Sequence, residues 1–312
     1  MGHRYRCQHH SSRPESTHLG REQGPQVRDP VLAGPAGRRR RRTSCPRRRP
    51  AALRAWDNGS VPTTTAASRT YRETVIVLGT YPLGESDRIV VCLSSGHGLL
   101  RAVAKGVRRS SSKLGARLEP FMISDVSLVH GRNLDTVTQA VTRKAYAAPI
   151  VADYDAYTHA SAIAEVAEYV AQGDGETASE IFALTAGALS ALARRTHAAQ
   201  DVLNSYLARS MRIAGWYIET EACVRCGTQD GLVSWSMAGG GIVCTECAQA
   251  GDRPLSGDMM QYLRGVATGS WEVLQGIEDP TAGQRVGALL RRYVQWHLER
   301  EFRSFALLER TS

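Results

Sequence analysis

The chain has 312 residues, 42% of them hydrophobic, which suffices to bury cores for two or three small domains. Its sequence holds no apolar run approaching the ~18 residues of a membrane span and no secretory-type apolar centre near its start, so membrane-spanning and secreted classes are not expected. The net charge of +9 invites a polyanionic partner but is unevenly spread: residues 1–70 carry +11, residues 71–150 carry +5 and residues 151–312 carry −7.

The first 70 residues hold Arg38–Arg42 and Arg47–Arg49 among Pro, Gly and Ser, with no periodic apolar pattern from which to build a core. They are expected to be a disordered Arg/Pro-rich tail. Arginine without lysine beside abundant Pro, Ala and Gly is also what high-GC DNA upstream of a start gives when translated, so a natural start near Val61 or later is one expectation. A basic DNA-binding arm and an organellar transit peptide are the others.

From Tyr71 the pattern changes to short β-branched runs: Thr74–Leu78, Arg88–Leu93, Leu99–Ala104, Phe121–Val129 and Leu134–Val141, punctuated by glycine-bearing turns. Five strands in some seventy residues predict a small closed barrel of the OB type over residues 71–149. After Pro149 the period becomes helical. Tyr157–Ala171, Ile181–Leu192, Val202–Trp216, Met259–Ala267 and Val286–His297 predict amphipathic helices, and the apolar end Phe302–Leu308 is expected to tuck onto them. The fold class is thus multidomain α+β: a barrel followed by an α-helical domain over residues 150–312.

Inside the helical part lies the sharpest motif, Cys223, Cys226, Cys244 and Cys247 in the pattern C-x2-C-x17-C-x2-C. Two residues between thiolates let both sulfurs of a pair reach one ion, and Gly231–Trp235 with Gly239–Val243 read as a hairpin between the pairs. A zinc ribbon over residues 219–252 is expected. Four thiolates would fill a tetrahedral Zn2+, one per chain, and leave no place for substrate, so the metal is read as structural. Two disulfides, four unrelated core cysteines and a redox pair are the alternatives. Cys7, Cys45 and Cys92 show no partnered spacing, which suits a reducing cytoplasm.

Between the third and fourth strands runs Lys105-Gly-Val-Arg-Arg-Ser-Ser-Ser-Lys113. With Arg101 before it and Arg117 after it, six cations fall within seventeen positions with no acid among them. Cations on a mobile loop, with glycine and serines that let main-chain N–H groups approach, suit a phosphate backbone. The alternative is a solvated loop that only keeps the protein soluble. The candidate DNA contacts are therefore Arg101, Lys105, Arg108, Arg109, Lys113 and Arg117. Aromatic residues of the barrel sit mostly at strand ends, so mainly electrostatic, sequence-blind binding is expected.

Catalytic signals are weak. Ser94, Ser95 and His97 share a turn without an elbow or oxyanion motif. Glu85 and Asp87 are read as capping a turn and pairing with Arg88. His159 and His197 are placed on helices without a second ligand. No nucleophile, base and stabiliser assemble, so an enzyme is not expected.

The runs Tyr81–Arg88, Gly96-His-Gly98, Val103–Arg109 and Leu114–Phe121 closely resemble the RecO family of bacterial recombination mediators. The resemblance spans about residues 71–310, and zinc-containing members carry a four-cysteine insertion in a helical C-terminal domain. It implies an OB-fold that binds single- and double-stranded DNA, anneals complementary strands and, with RecR and often RecF, loads RecA onto strands coated by single-strand-binding protein. It also implies no catalytic centre, and it places Lys105, Arg108, Arg109 and Lys113 in the family's basic block. The family's helical domain docks the acidic, phenylalanine-ended tail of single-strand-binding protein in an apolar, cation-rimmed groove, for which Arg194, Arg195 and Arg212 are rim candidates. A zinc-ribbon OB-fold factor of transcription or translation is the competing class and would need a basic or aromatic ribbon surface. A hydrolase would need a clustered triad or an open metal site.

Overall fold

The structure, a computed structural model, describes residues 69–311 apart from Ser110 and residues 172–174. The Arg-rich tail and the start near Val61 lie outside the described residues.

Five strands close a barrel in the order β1-β2-β3-β5-β4: β1 (Thr70–Leu83), β2 (Asp87–Ser94), β3 (Gly98–Ala104), β4 (Met122–Val129) and β5 (Asp135–Ala145). Strand β1 is long enough to serve two neighbours. Its first half pairs with β4 and its second with β2, and the register shifts between Val77 and Gly79, where the strand turns from one partner toward the other. The parallel pairing of Ala102–Ala104 with Asp135–Val137 closes the ring. Alternation along β1 sends Val75 and Val77 into the barrel with Val90, Cys92, Val126 and Val137. Ile76 and Leu78 face out to join Leu93, Phe121 and Ile123 beneath the helices. Burial pushes the Cys92 thiol up to about 12, so it behaves as a small apolar side chain.

Helix α1 (Ala147–Val151) leaves the barrel, and Asp153 caps α2 (Tyr154–Val170) by accepting from Asp155 N and Ala156 N at 3.0 and 3.2 Å. Then come α3 (Gly175–Arg194), α4 (Ala199–Ile213), α5 (Gly257–Thr268), α6 (Trp271–Leu274), α7 (Ala282–His297) and α8 (Arg303–Thr311). Helix α4 is the axis, packed against α2, α3, α5 and α7. Its buried Asn204 donates to Tyr262 Oη and Gly283 O, both at 2.9 Å, and Tyr262 donates to Asp201 Oδ1 at 2.5 Å, tying α4 to α5 and α7.

One apolar cluster runs from Ile76, Leu93 and Phe121 of the barrel through Ile163, Ile181 and Leu203 to Trp235 and Ile242 beyond α4. Gly98 marks the closest approach: at φ +70°, a Cβ there would lie 2.9 Å from the carbonyl oxygen of Ala171. The apolar end forms α8, whose first amides, Arg303 N and Ser304 N, are capped by Glu165 of α2 at 3.1 and 2.9 Å.

Between α4 and α5 the chain makes a three-stranded sheet in the order β7-β6-β8, from β6 (Leu232–Ser236), β7 (Gly241–Cys244) and β8 (Arg253–Pro254). No helix among the described residues is long and apolar enough to cross a membrane.

Candidate nucleic-acid interface and metal centre

The basic stretch leaves β3 and folds back on the β1–β2 turn. Asp87 fixes its start by accepting from Gly106 N at 2.7 Å and Ser86 Oγ at 2.9 Å. Those bonds, the Gly106 amide first, outweigh partial burial and hold the Asp87 carboxyl below the ordinary carboxylate range, with Lys105 and Arg109 adding to the effect. Arg108 N then donates to Ser86 O at 2.9 Å, and its guanidinium reaches Gly84 O at 3.2 Å. Val107, only 5% exposed, inserts into the barrel core beside Leu118, the buried residue of the 3-10 turn Ala116–Leu118. The stretch expected to be mobile is therefore pinned at three consecutive residues, because one apolar side chain inside a polar run finds the open end of the barrel.

Lys105, Arg108, Arg109 and Lys113 are exposed and form no ion pair among the described residues. Arg101 differs from them, pairing with Glu168 of α2 at 2.8 Å; Arg117 donates to Ala140 O at 2.9 Å, a backbone tie of the same kind as that of Arg108 to Gly84 O. Neither Arg101–Glu168 nor Arg117–Ala140 is visible in local sequence, since each joins distant elements. The Asp87–Arg88 pair expected from sequence is not formed: Arg88 bonds Glu119 at 3.0 Å because the neighbouring carboxylate already serves Gly106. Further exposed cations on the barrel, Arg132 and Lys144, lie outside the run that drew attention.

The turn holding Ser94 and His97 is a structural constellation. Buried Ser94 Oγ donates to Glu73 Oε2 at 2.5 Å and accepts from Gly96 N and His97 N at 3.1 Å each, while His97 Nδ1 lies 2.8 Å from Glu73 Oε1. The hydroxyl faces a carboxylate and two amides, so the imidazole is not placed as its base. His159 lies on α2, as expected, and is buried there. His197 instead lies in the α3–α4 connection, its ring stacked 3.9 Å from that of Trp271.

Beside that stack, α3, α4 and α5 leave a cavity of about 680 Å3 lined by Leu184, Ile213 and Trp271, with Arg209 and Arg212 among its walls. Of the rim candidates only Arg212 lines it. Arg195 turns away to pair with Asp153 at 2.9 Å, and Arg194 stays outside the lining. Arg209 was missed, although its place three residues before Arg212 on one helix is a readable signal.

The four cysteines converge. Their sulfurs lie within 4.8 Å of one another, Cys226 Sγ and Cys244 Sγ 3.7 Å apart, and none forms a disulfide. Thiolates ~2.3 Å from one tetrahedral ion sit about 3.8 Å apart, so the residues fit a metal. Burial alone would raise the Cys223 thiol; the amides of Cys244, Arg225 and Cys226 bring it down instead to about 6. Gly227 at φ +78° turns the first knuckle back, its N–H donating to Cys223 O at 2.8 Å. Between the first two cysteines, Arg225 bonds both oxygens of Asp252 at 2.6 and 3.0 Å, and also Cys247 O, clamping one knuckle to the other. Trp235, 1% exposed, packs edge-on against Tyr293 of α7 at 5.4 Å. Trp235 is thus buried, and the exposed Arg225 spends its guanidinium on Asp252 and Cys247 O, so neither offers the free basic or aromatic surface that a transcription-type ribbon would need.

Two family models match the chain: "Recombination protein O N terminal" over residues 68–146 and "Recombination protein O C terminal" over residues 151–306. The chain belongs to the RecO family. The N-terminal match coincides with the five-stranded OB-type barrel, and the C-terminal match contains the helices and the four-cysteine centre. Membership gives the chain a part in DNA recombination and repair, and with it a DNA-binding character.

Proposed function

We propose that this chain is a recombination mediator that binds single- and double-stranded DNA through Lys105, Arg108, Arg109 and Lys113, anneals complementary strands, and acts without catalysis or nucleotide. The observation that carries this reading is a set of four exposed cations, without ion-pair partners among the described residues, held by a pinned loop on a barrel of the RecO family. Cations that screen two phosphate backbones lower the repulsion between strands, and sequence-blind contacts let them slide into register. Arg101 flanks the set and contributes charge more than contacts, since Glu168 already holds it, whereas Arg117, tied only to a backbone carbonyl, extends the set.

Family membership supports a reading of the partners. Together with RecR, and with RecF where it is used, the chain loads RecA onto strands coated by single-strand-binding protein, in the nucleoid of the cytoplasm. The acidic tail of single-strand-binding protein would enter the α3–α4–α5 cavity, its carboxylates meeting Arg209 and Arg212 and its terminal phenylalanine the wall of Leu184, Ile213 and Trp271. Cys223, Cys226, Cys244 and Cys247 would hold one Zn2+ as a staple for the ribbon. A saturated thiolate set supplies folding energy and leaves no position for a substrate.

The test is annealing of complementary strands, bare and coated with single-strand-binding protein, without ATP. Annealing on both that falls at least tenfold when the four loop cations become Gln is the expected result. Annealing that needs ATP, or survives the change, would contradict the proposal.

A further inference from the structure

A second cavity, about 610 Å3, opens between the barrel and helices α2 and α8. Its walls carry aromatic and cationic groups among apolar and acidic ones. Tyr81, 54% exposed, stands on β1; Tyr157, 42% exposed, stands on α2 with its ring 6.0 Å from the buried ring of Phe121; Tyr169 lies deeper. Arg300 sits 5.5 Å over the Tyr169 ring, and Arg303 lines the same wall.

Two acids also line the cleft. Glu165 accepts from Arg303 N, Ser304 N and Ser304 Oγ, and Glu168 holds Arg101. Arg300 and Arg303 form no ion pair among the described residues; Glu165 keeps its charge, since its bonds are to neutral donors, so three arginines against two carboxylates leave the lining net positive by one. The cleft also continues the basic loop: Gly84, which receives the Arg108 guanidinium, lies three residues beyond Tyr81, about 10 Å along extended chain.

From this juxtaposition we infer that the cleft is a base-stacking site for single-stranded nucleic acid, with unpaired bases against Tyr81 and Tyr157 and phosphates on Arg300 and Arg303. The inference rests on the nucleic-acid reading of the basic loop, which meets the same strand upstream. Aromatic faces joined to a cationic track are what single strands need, and a slot between two packed parts of the protein admits a splayed base but not a paired one. The cleft therefore separates single strands from duplexes, which the basic loop does not. An acidic peptide is the weaker fit, because Glu165 and Glu168 share the lining and its two exposed apolar groups, Tyr81 and Tyr157, are aromatic.

The experiment compares a labelled twelve-nucleotide oligothymidylate with a blunt duplex of equal length, on the full chain. Replacing both tyrosines, Tyr81→Ala with Tyr157→Ala, is expected to weaken the single strand about tenfold and leave the duplex within twofold. The pair Tyr81→Phe with Tyr157→Phe restores binding, because the rings remain. Should the alanine pair fail to fold, Arg300→Gln with Arg303→Gln carries the same comparison. Unchanged single-strand affinity overturns the inference, as does an equal loss on both probes. Loss of an acidic peptide's binding with the oligonucleotide unaffected overturns it too and assigns the cleft to a protein. A loop variant of Lys105, Arg108, Arg109 and Lys113 weakens both probes. If it weakens neither while the tyrosine pair still discriminates, the loop reading fails and the cleft stands.

Discussion

Asp87 shows how much one side chain settles. By taking the Gly106 amide it starts the turn that presents Lys105 and Arg108, and by doing so it forgoes Arg88. Asp87→Ala is expected to speed hydrogen exchange at the Gly106 amide and weaken DNA binding severalfold while the barrel remains intact, as NMR and titration would show. Its pH dependence has a definite sign. Because the folded carboxyl sits below its ordinary value, the contribution is fully present above the usual carboxylate pKa and fades as pH falls through the lower folded value. The loop should therefore stay ordered at pH 5 and loosen only in stronger acid; loosening already at pH 6 would contradict this. The cations themselves were legible as composition. Which of them are engaged was not, because Arg101 finds Glu168 sixty-seven residues away, and Val107 looks like a polar-loop residue until the barrel's open end is known.

The ribbon is the element whose outline the spacing of four cysteines gave away. Strands β6 and β7 fall within a few residues of the glycine-flanked runs, whereas β8, two residues ending in proline, carries no period to detect. The short helices α1 and α6 escaped for the same reason: five and four residues cannot show a helical repeat. Trp235 ties the ribbon to α7, so metal removal has an optical signature. Chelation, or Cys223→Ser, should release one metal per chain and shift the fluorescence of buried Trp235 to the red, with duplex affinity kept within twofold. Trp235→Ala should cost about 3–5 kcal/mol in urea denaturation, since it empties a packed site shared with Tyr293. Loss of DNA binding on mild chelation, before any loss of stability, would instead make the ribbon part of the interface.

Across the whole molecule, barrel and helices share one apolar cluster although sequence marks them as successive patterns of different period. Periodicity identifies which face of an element is apolar, but only the outward-facing Ile76, Leu78 and Leu93 of the barrel reveal that the second face is also covered. Leu93→Ala should lower stability by ~2–5 kcal/mol, and far-UV and near-UV signals should fall in one coincident transition. Two separated transitions would mean that the shared cluster does not couple the parts. The central claim, that the pinned loop on the barrel holds the nucleic acid, is best read from salt. Residues 1–70 alone carry +11, so the measurement is made on a chain beginning at Thr63, without most of that charge. Plotting log affinity for a single strand against log salt, neutralising Lys105, Arg108, Arg109 and Lys113 together should lower the slope by about 3, as four lost phosphate contacts require. An unchanged slope and affinity would place the DNA elsewhere.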